Sequence, residues 1–162
     1  MEFYVKYLKT FKIPLFSHTK LKIMEYEFDK LVAMSGQQSL FHMIANRGNG
    51  LILEDIGSKK RQFYSMRQHQ FTPMASIGIY TDDDSVELKE VFNRMRKSEE
   101  AVPENLNESP VLISYFEKIL PEYDRDRVKI NDMKKVIKWF TFLKNQDLLE
   151  LLDKKEEPAK PE

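Results

Sequence analysis

Cysteine is absent from the chain, which excludes disulfides, thiolate metal sites and a cysteine nucleophile at once. A reducing cytoplasm is the expected compartment. Glycine is scarce, with five residues, and their spacing builds no phosphate cradle. Gly48-Asn49-Gly50 lacks the third glycine, the lysine and the following helix that such a loop requires, and no Gly-x-Ser-x-Gly nucleophile turn occurs. No apolar run approaches the roughly 18 residues that span a bilayer, so no membrane partner is expected. Net charge is missing too: 26 Lys and Arg balance 26 Asp and Glu, leaving no overall pull toward nucleic acid or an anionic membrane. The histidines, His18, His42 and His69, share no metal-ligand spacing. No cofactor and no metal are expected.

What is present is enough for a core. The chain has 162 residues, 41% of them hydrophobic, which suits one ordinary domain or two very small ones. Residues 1–23 carry Lys6, Lys9, Lys12, Lys20 and Lys22 against a single acid, Glu2. Lysines and Pro14 interrupt every apolar stretch there, so the segment does not read as a secretory signal. It reads as a poorly ordered extension, with Met24 as the expected true start.

From Leu31 onward, short apolar runs alternate with turn residues. Residues 31–35, 40–45, 51–56, 61–66 and 76–80 have strand length, and Asn49-Gly50 and Gly57-Ser58 are hairpin turn chemistry. Five short strands in about fifty residues close most economically into a small barrel, which leaves no long unpaired edge. The expected fold is therefore α+β: a small five-stranded SH3-like or Sm-like β-barrel followed by a helical module of about three helices. Asp84 and Glu87 read as a capping box for a helix with Leu88, Val91, Phe92 and Met95 on its apolar stripe. Residues 24–97 make up the barrel and this terminal helix. Residues 98–109, acidic and broken by Pro103, read as a linker. Residues 110–152 form the helical module. Leu112, Tyr115, Phe116, Ile119 and Leu120 mark one buried face, and Met133, Val136, Ile137, Phe140 and Leu143 mark another. Residues 153–162 read as a disordered tail.

Candidate chemistry is sparse. His42 sits within an apolar strand and reads as a half-buried structural histidine; His69 lies in a Gln-rich turn. Asp82-Asp83-Asp84 could hold a hard cation, but acids before a helix also favour the positive end of its dipole. A basic set, Arg47, Lys59, Lys60, Arg61 and Arg67, is interleaved with Phe63, Tyr64 and Phe71. Small barrels bind nucleic acid with such residues, cations on the backbone and aromatics on the bases, while Glu54 and Asp55 dilute the charge. Arg125 and Arg127, in the connector of residues 123–127, either make local salt bridges or recognise an acidic partner. Trp139 and Phe142 project beside the buried stripe of their helix, and Trp is the residue type most enriched at interface hot spots. Trp139 is thus a candidate partner contact, or part of a core under the leucines of residues 148–152.

Several stretches resemble a known family. Residues 31–55, Lys59-Lys60-Arg61, residues 79–83 and 88–92, then residues 120–128 and Asp132-Met133-Lys134-Lys135-Val136 through Trp139, are similar to a bacterial family of the Bacteroidetes described as a domain of unknown function. The resemblance runs from about Glu25 to Leu152, and its second block is the more specific. It implies a small barrel followed by a helical module and carries over no activity or ligand. Similar proteins begin near Met24 and tend to have a Lys and a Pro after the glycine of residues 34–38. The reading drawn from all of this is a non-enzymatic binding or adaptor protein. A protein partner or a second copy would bind through the helical module. The alternatives are a weak RNA- or DNA-binding barrel and an enzyme with an unfamiliar site.

Overall fold

The computed structural model describes residues 26–153. The expected α+β class holds: a five-stranded antiparallel sheet comes first and three helices follow. Strands β1 (Leu31–Met34), β2 (Leu40–Arg47), β3 (Gly50–Asp55) and β4 (Arg61–Ser65) form a meander, and β5 (Phe71–Pro73) returns beside β1, giving the order β4-β3-β2-β1-β5. The fifth strand is not the expected run of residues 76–80. Pro73 and the polar turn before Phe71 hide it in the sequence, and a proline is tolerated here because β5 is an edge strand. Residues 78–80 instead form β6 (Gly78–Tyr80), which pairs with β7 (Ser85–Glu87) in a separate hairpin.

The sheet does not close into a barrel by hydrogen bonds, since β4 and β5 are its two edges. Side chains bridge the gap. Met34, Phe41, Leu51 and Leu53 form a small cluster on one face, and Tyr64 from β4 and Phe71 from β5 both pack against it. His69, in the turn between those strands, stands 5.3 Å from the Tyr64 ring and 6.3 Å from Phe71.

The opposite face carries Leu31, Ala33 and Leu40 into the main core, as the two-residue period of strands requires. Helices α1 (Leu88–Lys97), α2 (Ser109–Ile119) and α3 (Ile130–Asn145) cover it with the apolar stripes expected from their sequence. The start of α1 differs from expectation. Asp84 does not cap it, because residues 85–87 are spent on β7; Thr81 accepts the Asp84 N–H at 3.1 Å within the hairpin turn. At the other end, Asp147 takes a positive φ of 56° and the Leu148 N–H reaches back to the Leu143 carbonyl at 2.9 Å. This closes α3 with the left-handed cap usually made by glycine.

One core cluster joins the two halves. Tyr26, Leu31, Leu40, Ile56 and Met74 from the sheet side share it with residues of all three helices and with Leu148, Leu151 and Leu152. Val102 and Leu106, within the segment read as a linker, also pack on it. The folded unit extends one residue into the segment read as a tail. Asp153 ends a last 3₁₀ turn (Leu149–Asp153), where Arg96 grips its carboxylate at 2.9 and 2.5 Å. The expectations for residues 1–23, and for the tail beyond Asp153, lie outside the described residues.

Candidate functional site

A cleft of about 530 Å³ opens between the sheet end and α3. One wall is the β1–β2 turn around Gly36, where a φ of 81° suits glycine. Ile79 and Tyr80 of β6 form the back. The front is α3, whose Asp132, Lys135, Val136 and Trp139 line the opening. Their spacing of three, four and seven residues puts them on one face of the helix, adjacent to the face that Met133, Ile137 and Phe140 bury in the core.

Arg127 enters the same cleft from the connector between α2 and α3. Its place is fixed by the way that connector docks on β6. The Asp124 N–H donates to the Tyr80 carbonyl at 3.0 Å, and Thr81 and Tyr123 form an isolated bridge. The Asp124 carboxylate accepts the N–H groups of Asp126 and Arg127 at 2.8 and 2.9 Å and the Arg127 Nε–H at 2.6 Å. The Arg127 side-chain hydrogen bond, followed by those backbone donors, holds the Asp124 carboxyl below the usual carboxylate range. Arg127 also donates to the Thr81 carbonyl at 3.1 Å and lies 4.4 Å from the centroid of the Tyr80 ring. These contacts orient the guanidinium before any ligand arrives, which lowers the ordering cost of recognition.

Two of the three expected partner contacts, Arg127 and Trp139, thus meet in one cleft, and Lys135 and Lys138 stand beside them. Trp139 is partly buried against the main core. The third, Arg125, turns away: it bonds Glu117 at 3.1 Å and stacks near Tyr123 at 5.3 Å. Lysines 135 and 138 were not singled out in the sequence, although their helical offset from Trp139 was readable there.

The five cations considered for nucleic acid do not form one patch. Arg47, the last residue of β2, and Arg67, in the turn after β4, sit at one end of the β2–β4 meander, where the Met66 N–H meets the Asn49 carbonyl. Lys59, Lys60 and Arg61 sit at the other end, about 13 Å away along β4 at the rise of a strand. Two of these have internal work. The Arg61 Nε–H donates to Glu54 at 2.5 Å, and Lys59 bonds the Tyr26 hydroxyl and lies over its ring at 4.2 Å. The Tyr26 hydroxyl donates to Glu54 at 2.8 Å. Burial pushes the Glu54 carboxyl up, but the hydrogen bonds of Arg61 and Tyr26 and the charges of Arg61 and Lys59 outweigh it. The carboxyl stays below the usual range. His42, directly across the ladder from Glu54, is buried and meets Tyr26 edge-on at 5.0 Å.

Asp82-Asp83-Asp84 occupies the β6–β7 turn, and no group of acids and histidines that could hold a metal ion exists among the described residues. No helix among them is long and apolar enough to cross a membrane.

Fold and cleft together define a small α+β protein: an open five-stranded sheet, three helices on its main-core face, and a basic aromatic cleft at their junction. A family model described as a domain of unknown function (DUF6852) matches residues 77–143. The solution NMR structure of a protein from Bacteroides vulgatus, a structural genomics target, is similar at 34% sequence identity with a TM-score of 0.61, covering 74% of this chain and 87% of that one. The chain belongs to this family. No curated protein matches it. The family-model match spans β6, the connector bearing Arg127 and nearly all of α3, so it contains most of the cleft.

Proposed function

We propose that this is a cytoplasmic, non-enzymatic binding protein that seats an anionic group of a partner in the cleft between the sheet end and α3. One observation carries the reading. Arg127 and Trp139, from separate elements, line a single cleft with Lys135 and Lys138, against one lining carboxylate, Asp132. The cleft volume falls within the roughly 300–1,000 Å³ typical of ligand sites. Lysines 135 and 138 are exposed; Lys135 faces Asp132 across a loose 3.9 Å, and Lys138 makes no ion pair among the described residues. These two can turn toward a ligand, while Arg127, held by Asp124 and Thr81 through its Nε–H and one Nη–H, keeps its remaining N–H groups for a carboxylate or phosphate. Trp139 offers the apolar surface beside them.

The chain has a single tryptophan, so its emission reports this cleft directly. The full-length protein is titrated with glutarate and, separately, with inorganic phosphate. The expected result is a saturable change in Trp139 emission with at least one of them, lost in Lys135→Glu/Lys138→Glu, whose melting temperature stays near that of the parent. No saturable change with either anion up to about 1 mM, the weak end of useful affinity, overturns the reading.

A further inference from the structure

A second depression lies on the far side of Lys138. It is lined by Val102, Pro103, Leu106, Phe142 and Lys144, with Glu104 as its one carboxylate, and it shares Gln38 and Lys138 with the first cleft. Both shared residues are exposed, and both have long, flexible side chains that can swing aside. The two depressions are separated by these two side chains, and moving them aside would join the depressions into one groove. We propose that this groove seats an extended acidic segment of a partner protein along α3. The inference rests on the reading of the first cleft as an anion seat and names its occupant.

Length and charge choose that occupant. From Asp132 to Asn145 the helix advances about 20 Å at 1.5 Å per residue, which six residues of extended chain cover at about 3.3 Å each. A single small anion fills only one end. Lys135, Lys138 and Lys144 contribute three cations along the groove against Asp132 and Glu104, and Arg127 adds a fourth whose charge is shared with Asp124. The cationic excess is spread along the length instead of converging on one point, so it matches a string of carboxylates better than one phosphate. Trp139 in the first depression and Phe142 in the second are both partly buried against the core, so each presents a firm apolar surface. They lie three residues apart on one side of α3, about 4.5 Å in rise, so one extended segment along the helix can touch both. Its backbone would run between the cationic rim and this aromatic floor.

The test uses the full-length protein, Trp139 emission and two probes: an octapeptide of alternating glutamate and alanine, and glutarate. The octapeptide is expected to bind at least about tenfold more tightly than glutarate, because it reaches the second depression. Lys144→Glu and the milder Lys144→Gln both lie outside the first cleft; they should weaken the octapeptide about fivefold or more and leave glutarate unchanged. The same-length peptide of alternating lysine and alanine should not bind. If glutarate binds but the octapeptide gains nothing and both Lys144 variants are silent, the groove proposal is overturned while the anion seat stands. Equal binding of the lysine peptide overturns the charge argument, and failure of every probe overturns both readings.

Discussion

Replacing Glu54 by glutamine tests how much the buried polar cluster at the head of the fold contributes. The carboxylate accepts from Tyr26 and Arg61 in a site it shares with the apolar core, and a buried acceptor that loses its charge weakens both bonds. The Arg61 side chain is 58% exposed, so solvent screening reduces the ionic part. A loss of about 1–2 kcal/mol at neutral pH is expected for Glu54→Gln. Because the folded protein holds this carboxyl below its ordinary value, its contribution is present above the unfolded carboxylate range and disappears as pH falls through the depressed folded value. Melting temperatures of parent and variant should therefore differ at pH 7 and converge as pH falls below the carboxylate range. A gap that persists unchanged at the acid end would show that charge at Glu54 is not the cause. This cluster could not be read from the sequence. Its members are spread from Tyr26 to Arg61, and only the register that sets His42 opposite Glu54 and Glu54 opposite Arg61 brings them together.

Among the elements, the closing turn of α3 invites a stabilising change. Asp147 holds a left-handed conformation that costs a non-glycine residue free energy, and its side chain is exposed. Asp147→Gly should raise stability by up to about 1 kcal/mol, read as a higher denaturant midpoint at unchanged slope; a lower midpoint would mean that the aspartate makes a compensating interaction. The helices were legible because their apolar residues recur at 3.6-residue spacing over ten or more positions, and each observed stripe is the one expected. The first four strands were legible from their apolar runs and glycine-bearing turns. β5 and β7 were not. Each has three residues, too few for a period, and the signals in them point elsewhere: Pro73 argues against a strand and Glu87 imitates a helix cap. The cleft was half legible. Trp139 and Arg127 stood out as residue types without a local role, but nothing in the chain order says that the β1–β2 turn folds over to face them.

For the whole molecule, the main question is whether sheet and helices unfold together. The sequence divides near residues 98–109, yet the core runs through both halves and takes in Val102 and Leu106. A single cooperative thermal transition is expected, with circular dichroism and tryptophan emission giving coincident curves. Trp139 belongs to the helical half and the strand signal to the other, so two separated curves would establish two independent units.

The cleft walls come from the turn near the start of the sheet, from β6 in the middle and from α3 near the end. Any molecule seated there can bind only the assembled chain, because no stretch of the unfolded protein carries the site. Occupancy is thus thermodynamically linked to folding: at a hundredfold excess over its dissociation constant, a ligand adds about 2.7 kcal/mol to stability. For a protein of this size that is a shift of several degrees in melting temperature. The abundance of the folded form would then follow the concentration of any such ligand, and the unliganded protein would be the one most readily degraded.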